Sequence, residues 1–409
     1  MNYTIYSNLP KIRPDISLMK HVHGEDEYLL MYDPLRYSRA PMILALHALR
    51  LLDCLQKEED QTCEQIAETA FEGQVDPEAI LDVIMQMSDR CFLLDEVFYD
   101  TKSVIDQTFR ESTIREPFCL GTVYPEHRDT AISMLDEMKG LIPERDFKDI
   151  SGIIIPHVEL SEGREVYASA LRALEATTKP DLVILFATSH YGGEGRFIFT
   201  EKDFLTPLGT TPTDASMVKY IFSQATQPLT HNDAQHRYDH SIEIVLLLLQ
   251  YAFGAESFSL LPVLVNGMHD RFSYAHTPSD EGIAEIIHII KNYCDLTDKR
   301  VLFVSSGDLS HIGRKFGDAD EAELLKPEIM THDASIIDAL TAHDSQAFFS
   351  RIAQTADHSR ICGCSPNYML MESLKKVHNA ELLAYQWWDQ PDTASAVSFC
   401  SVAYFAENS

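Results

Sequence analysis

Basic residues are scarce in this chain: 33 Lys and Arg stand against 63 Asp and Glu, a formal charge of −30 at pH 7. A chain of that sign lacks the clustered cations that capture nucleic acid or an anionic membrane, so neither is expected as a partner. Long hydrophobic runs are missing too. The longest, Ile242 to Leu249, is broken by Glu243 and falls far short of the ~20 residues that span a bilayer. Met1 leads into no charged-then-apolar stretch of signal type, and the expectation is a soluble, cytoplasmic protein. The eight cysteines, at 54, 63, 91, 119, 294, 362, 364 and 400, form no paired CxxC knuckles of structural zinc, and most read as reduced core residues. No GxGxxG or GxxxxGK loop is present to cradle phosphates. A nucleophilic hydrolase is disfavoured as well, because there is no GxSxG elbow and Ser310 directly precedes its own supposed base.

What is present is a globular chain of 409 residues, 45% of them hydrophobic, long enough for two domains because single cores usually split beyond about 250–300 residues. Residues 1–105 read as a small winged-helix-like α+β module. Strand-like pieces at Ile16 to Val22 and Tyr28 to Tyr32 precede an apolar helix from Pro41 to Leu55. Further helices follow Thr62, where Gln65 completes a capping-box spacing, and Asp76-Pro77. Cys91 to Tyr99 is expected as a hairpin or strand, and Thr101 to Pro117 as a linker. The second of these helices carries Glu64, Glu68 and Glu72, the wrong sign for phosphate contact, so a protein- or peptide-docking role is favoured over DNA binding.

From residue 110 onward, strands and helices alternate. Strands are expected at 152–156, 182–189, 258–265, 301–306 and from Ala396 to Tyr404, with helices at 163–177, 215–224, 240–253 and 280–294, a polar loop at 203–214, and a helical run from Tyr368 to Val377. Such alternation argues an α/β fold, a central sheet with helices on both faces.

Three of the apolar strands end in candidate chemistry. Gly152 to Pro156 delivers His157, Leu182 to Ser189 delivers His190, and Val301 to Ser306, through the Gly307 turn, delivers Asp308 and His311. Open α/β sheets bind ligands at such carboxyl ends. Two neutral imidazoles with one anionic ligand is how a protein holds non-haem Fe(II), and His157 and His190 supply the imidazoles. The third ligand is open among Asp308, Glu159, Glu243 and Cys362. His240 and Glu243 share one face of a helix start, where they could serve as supporting or acid–base groups. His311, one turn from Asp308, is the better candidate for proton transfer. His21, His23, His47, His127, His269, His276, His288, His332, His343 and His378 read as ordinary solvated or core side chains.

The ordered series Pro156-His157, Thr188-Ser189-His190, Asp203 to Gly209, Asp239-His240-Ser241-Ile242-Glu243, Leu261 to Val265, Ser305 to His311, Ile361-Cys362-Gly363 and Ser398 to Tyr404 resembles the Memo family, whose bacterial and archaeal members are called AmmeMemoRadiSam system protein B. The resemblance covers about residues 110–409 and leaves 1–105 outside. It implies a fold similar to the LigB-like class III extradiol dioxygenases. It also implies metal ligation by His157, His190 and Cys362, with Asp308 and His311 lining the pocket and His240 nearby. The implied metal is iron, with copper or zinc as alternatives, and the implied activity is redox chemistry on a small molecule or peptide. A non-catalytic scaffold is the competing reading, and the family name points to radical SAM and AMMECR-type partners. Cys362 stands where the true dioxygenases carry a glutamate. The chain departs from the family pattern at Val158-Glu159-Leu160, at Tyr191 and at Cys364-Ser365, so Glu159 and Cys364 are possible additions to the site.

Overall fold

A computed structural model describes residues 3–23, 26–38, 40–57, 59–145, 149–272 and 281–406. His276 lies outside the described residues. The chain divides into two compact units, Met1–Glu111 and Ser112–Ser409.

In the first unit β1 (Ser17–His23), β2 (Asp26–Tyr32) and β3 (Met42–Ala45) form an antiparallel sheet. Four helices follow: α1 (Leu49–Gln56), α2 (Cys63–Thr69), α3 (Pro77–Asp89) and α4 (Glu96–Glu111). The capping box expected at Thr62 is present, with both reciprocal bonds to Gln65. Three expectations fail here. The helix read over Pro41 to Leu55 begins as a strand, because Met42 and Leu44 are buried while Ile43 faces water, a period of two that pairing with β2 fixes. The hairpin or strand expected at Cys91 to Tyr99 is instead a turn and the start of α4, and the linker expected at Thr101 to Pro117 is the rest of α4 followed by a short strand at Ile114–Arg115. The Asp95 carboxylate accepts the Phe98 N–H at 3.1 Å, a helix-starting bond, and Phe98 and Phe109 are buried. The winged-helix-like arrangement thus lacks its terminal β element over 91–99, and its sheet precedes the helices.

In the second unit, β4 (Ile114–Arg115) leads to α5 (Arg128–Lys139), β5 (Ile150–Ile155), α6 (Arg164–Glu175) and β6 (Leu182–Thr188). Next come β7 (Phe197–Phe199), β8 (Asp203–Thr206), β9 (Gly209–Thr211), α7 (Ala215–Gln224), α8 (Ser241–Phe253) and β10 (Ser259–Val265). The chain continues through α9 (His269–Phe272), α10 (Glu281–Asp295), β11 (Val301–Ser306), β12 (His311–Gly313), α11 (Ala322–Thr341) and α12 (Ser345–Gln354). It closes with α13 (Cys364–Ser373), β13 (Val377–Gln390) and β14 (Ser395–Ala406). The main sheet is mixed and eight-stranded, in the order β12-β14-β5-β11-β6-β10-β7, with β13 added along β14. Its centre, β5-β11-β6-β10, is parallel.

The apolar runs of these central strands are continuous because both faces are covered. Val183, Leu185 and Ala187 of β6 pack into one core with α6 and α8, whereas Leu182, Ile184 and Phe186 pack into the other with α10 and α13. Two readings are corrected in this unit. The stretch 203–214 is the β8–β9 hairpin, joined to β4, rather than a loop. The helical run from Tyr368 to Val377 is shifted, since α13 stops at Ser373 and Val377 opens β13, a fourteen-residue strand that pairs with β14 along its length. Polar residues interrupt its alternation, and only that pairing defines it. Among the described residues no helix is long and apolar enough to cross a membrane.

The parallel order brings the ends of β5, β11 and β6 side by side, with β11 in the middle. Gly307 lets the loop after β11 meet the loop that precedes α13: a Cβ there would lie 2.4 Å from Gly363 Cα. The Gly307→Ala variant is expected to force these loops apart and to lose ~1–3 kcal/mol of stability by overpacking, which urea denaturation would measure. An unchanged midpoint would show that the two loops are free to separate.

Candidate metal centre

His157, His190 and His240 converge at the carboxyl end of the sheet. The His190 and His240 rings stack at 4.6 Å and 14°, and His157 stands edge-on to both at 4.9 and 5.3 Å. Two sets of potential donors share His157. One is His157, His190 and His240; the other is His157, Asp308 and Cys362. The His157 Nε2 atom lies 3.4 Å from Cys362 Sγ and 3.6 Å from Asp308 Oδ2. The implied trio of His157, His190 and Cys362 therefore takes members from both sets.

The hydrogen bonds fix which nitrogen of each ring is free. Ser306 Oγ donates to the Ser241 carbonyl at 2.7 Å, so its lone pairs accept from His157 Nδ1–H at 3.0 Å. That leaves the His157 Nε2 lone pair pointing at the thiol and the carboxyl group. His190 Nδ1 meets Asp239 Oδ1 at 3.0 Å, and the other carboxylate oxygen accepts the His190 backbone N–H at 2.8 Å. His190 Nε2 is then its free atom. A carboxylate behind an imidazole is the usual way proteins orient a metal-binding histidine and raise its basicity. His311 Nδ1 lies 3.1 and 3.0 Å from the carbonyls of Leu309 and Arg360, two acceptors, so the proton sits on Nδ1 and the Nε2 lone pair is free.

Electrostatics sort these groups further. Burial, with His190 next, depresses His240 and His311 to about 4, so both are neutral at pH 7. Burial likewise pushes His157 well below its ordinary value. For His190 burial acts the same way, but the Asp239 charge and hydrogen bond outweigh it and raise the ring. Asp239 is correspondingly held well below the carboxylate range, its burial overridden by His190 and neighbouring donors. Asp308 is pushed up to about 7 by burial, against the opposing bond from His157 N–H. Burial, then the Asp308 charge, raises the Cys362 thiol far above its usual value. Neutral imidazoles, a thiol and a hard-to-ionise carboxyl face one another beside the His190 ring, and a donor set of nitrogen and sulfur such as this fits a soft or borderline cation.

Other expected residues fall elsewhere. Glu243 faces away from the cluster into a buried pair with Arg115, and its carboxylate also accepts from the backbone N–H groups of Phe118 and Cys119 and from Tyr124. It is neither ligand nor acid–base group, because every lone pair is engaged. Glu159 is exposed and belongs to neither donor set. Cys364 is buried on α13 and also stands outside both sets. Sequence reasoning missed Arg115, which lies 128 residues from Glu243 and donates to the carbonyls of His236 and Asp239 at 2.7 and 3.0 Å. No local pattern marks it. The supporting roles of Ser306 and Asp239 were equally unread, although both are adjacent to named motifs.

A profile of the Memo-like protein family matches residues 115–403. A MEMO1 family protein of Aquifex aeolicus is 28% identical over 376 residues, covering 91% of this chain and 95% of its own. One from Thermus thermophilus is 25% identical over 343 residues, covering 83% and 98%, and one from Methanosarcina barkeri is 28% identical over 276 residues, covering 66% and 92%. The Aquifex likeness covers more than the second unit holds. It therefore runs into the first unit, whereas the family profile begins at residue 115, in keeping with a family resemblance that leaves 1–105 outside.

Two substitutions probe the supporting groups. Asp239→Asn is expected to weaken metal binding about 10–100-fold without unfolding the chain, read by competition with a chromogenic chelator. Glu243→Gln strands a buried guanidinium and is expected to cost ~3–5 kcal/mol in urea unfolding.

Proposed function

The chain belongs to the Memo-like family, and on that footing we propose that His157, His190 and Cys362 hold a redox-active non-haem metal ion, Fe(II) before Cu or Zn, in an enzyme that oxidises a small molecule. The observation that carries this reading is the His157 Nε2 lone pair, freed by the Ser306 partner on Nδ1 and 3.4 Å from Cys362 Sγ, with the His190 ring held by Asp239 at 4.9 Å from the His157 ring. A ferrous ion so held would supply one-electron chemistry and Lewis acidity. Cys362, in place of a carboxylate, shifts metal preference toward softer ions and sets the chain apart from ring-cleaving dioxygenases.

The protein's own groups divide the remaining work. His311, neutral with its Nδ1 proton held by two carbonyls, presents Nε2 to take up a proton released by the substrate. Asp308 accepts the His157 N–H and holds the loop after β5 against the loop after β11. Its raised value near neutrality lets it donate or accept a hydrogen bond to a bound molecule. His240, stacked on His190, limits the rotation of that ring. Partners of the radical SAM and AMMECR type, a docking role for the first unit and a cytoplasmic location belong to the same proposal.

One observation favours a second reading. Asp308 stands beside His157 and Cys362, so with His190 it would complete a closed set of four ligands, the form of a storage or scaffold site rather than a catalytic one. Metal analysis of protein purified anaerobically without a chelating tag decides first. We expect stoichiometric iron in the wild type, its loss in His157→Ala and Cys362→Ser, and oxygen uptake on Fe(II) loading. Metal retained with no oxygen uptake would favour the scaffold, and failure to bind Fe(II), Cu(I) or Zn(II) on titration would sink the metal site.

A further inference from the structure

Beside the donor cluster lies a cavity of about 280 Å³, bounded by the carboxyl ends of β6 and β10, by α9, and by the segment that delivers Cys362. His190 and Cys362 are among its lining residues, so a molecule bound there stands beside the proposed metal ligands. The volume is at the low end of small-ligand pockets and too small for a peptide segment. Val265, Met268, Phe272 and Ile361 give it an apolar wall.

The charged groups of the lining are spent on partners of opposite sign. His269, read from sequence as an ordinary solvated or core side chain, places Nε2 3.0 Å from Asp357 Oδ2. The other Asp357 oxygen accepts the Ile361 N–H at 2.8 Å. Arg360 donates to Asp318 at 2.6 and 3.2 Å and to the His311 carbonyl at 3.1 Å. A charged ligand entering here would lose its water and meet no unpaired opposite charge, so the lining disfavours anions and cations alike. The lining hydroxyls are spent too, with one exception. Thr188 Oγ1 donates to the Cys362 carbonyl at 2.8 Å, and Ser189 Oγ to the Gly192 carbonyl at 3.0 Å. Ser365, the second residue of α13, lines the cavity at 3% exposure, and its hydroxyl has no hydrogen-bond partner among the described residues. A buried hydroxyl left unpaired is costly, and a ligand that displaces water from it must return the bond.

We propose that this cavity binds a small neutral molecule with a compact apolar body and one oxygen, the oxygen hydrogen-bonded to Ser365 and the body against Met268, Phe272 and Ile361. A serine hydroxyl donates and accepts, so it pairs with an alcohol or a carbonyl oxygen, and neutral alcohols and carbonyl compounds form the class. Carboxylates, phosphates and amines lie outside it. The assignment names the substrate class of the enzyme proposed above and rests on that reading for its chemistry, though not for binding itself.

The test therefore uses the EDTA-treated full chain, so that no oxygen is recruited by a metal. Benzyl alcohol, its apolar isostere ethylbenzene, benzoate and benzylammonium would be titrated by ligand-observed NMR against the wild type and Ser365→Ala. The expected result is saturable binding of benzyl alcohol, with benzoate and benzylammonium about tenfold weaker or more, because each carries an uncompensated charge into the cavity. Benzyl alcohol should weaken about three- to tenfold in Ser365→Ala, the loss of one neutral hydrogen bond, while ethylbenzene should not weaken. A general loosening of α13 would instead weaken both. No binding of benzyl alcohol, an ion bound as tightly, or a Ser365→Ala effect that is absent or shared by ethylbenzene would each overturn the assignment. Benzyl alcohol bound by a wild type that takes up no metal would remove the metal reading and leave the neutral-ligand site standing; metal uptake without alcohol binding would do the reverse.

Discussion

One buried carboxylate organises the centre of this protein. Asp239 is almost inaccessible, and its two oxygens accept the His190 backbone N–H, the His190 Nδ1–H and the Ser241 N–H. A single side chain thereby joins the loop after β6 to the start of α8 and fixes the free nitrogen of a proposed ligand. Its own carbonyl is held by Arg115, whose charge is balanced by Glu243 one turn further along α8. An ionised carboxylate is tolerated at that depth only because every oxygen meets a donor. Remove the donors and the loop, the helix start and the His190 ring lose their common reference.

The same logic extends across the carboxyl end of the sheet. Ser306 links His157 to the Ser241 carbonyl, and Asp308 ties the backbone after β5 to the loop after β11. These bonds spend the Nδ1 proton of His157 on structure, as Asp239 does for His190, and leave the Nε2 atoms outside these bonds. The apparent conflict between a buried polar cluster and a stable fold is thus resolved on the supporting side, while on the other side imidazoles, a thiol and an acid face one another. A donor set backed in this way is suited to the metal ion proposed above.

Adjacent to that cluster, strain and apolar surface occur together in one segment. The residues from 356 to 362 hold a left-handed backbone at three non-glycine positions, anchor His269 through Asp357, and end at Cys362. Backbone strain persists only where its surroundings over-determine it. Here those surroundings are the close contact of Gly307 with Gly363 and the Asp308 N–H donated to Cys362 Sγ at 3.2 Å. The thiol is thereby held against the loop after β11.

The local pattern in the chain was enough to place much of the second unit. Continuous apolar runs gave β5, β6, β10 and β11, helical spacing gave α7 and α10, and a histidine or aspartate directly after a strand marked His157, His190 and Asp308. These signals are legible because period and punctuation act between near neighbours. Reading failed where distant partners decide. The stretch 42–45 is a strand because β2 lies beside it, β13 exists because β14 pairs along it, and Glu243 turns from the site because Arg115, 128 residues away, binds it. The ligand cluster is of the same kind. Its members lie on separate strands and loops, and spacing along the chain says nothing of whether Cys362 stands 3.4 Å from His157 or whether His269 meets Asp357. The sequence by itself determined which elements form and which side chains end the strands, because those depend on short-range backbone and hydrophobic periodicity. Only the tertiary structure decided which nitrogen of each ring is free and which acid is already occupied, because burial and hydrogen bonding between remote segments set both.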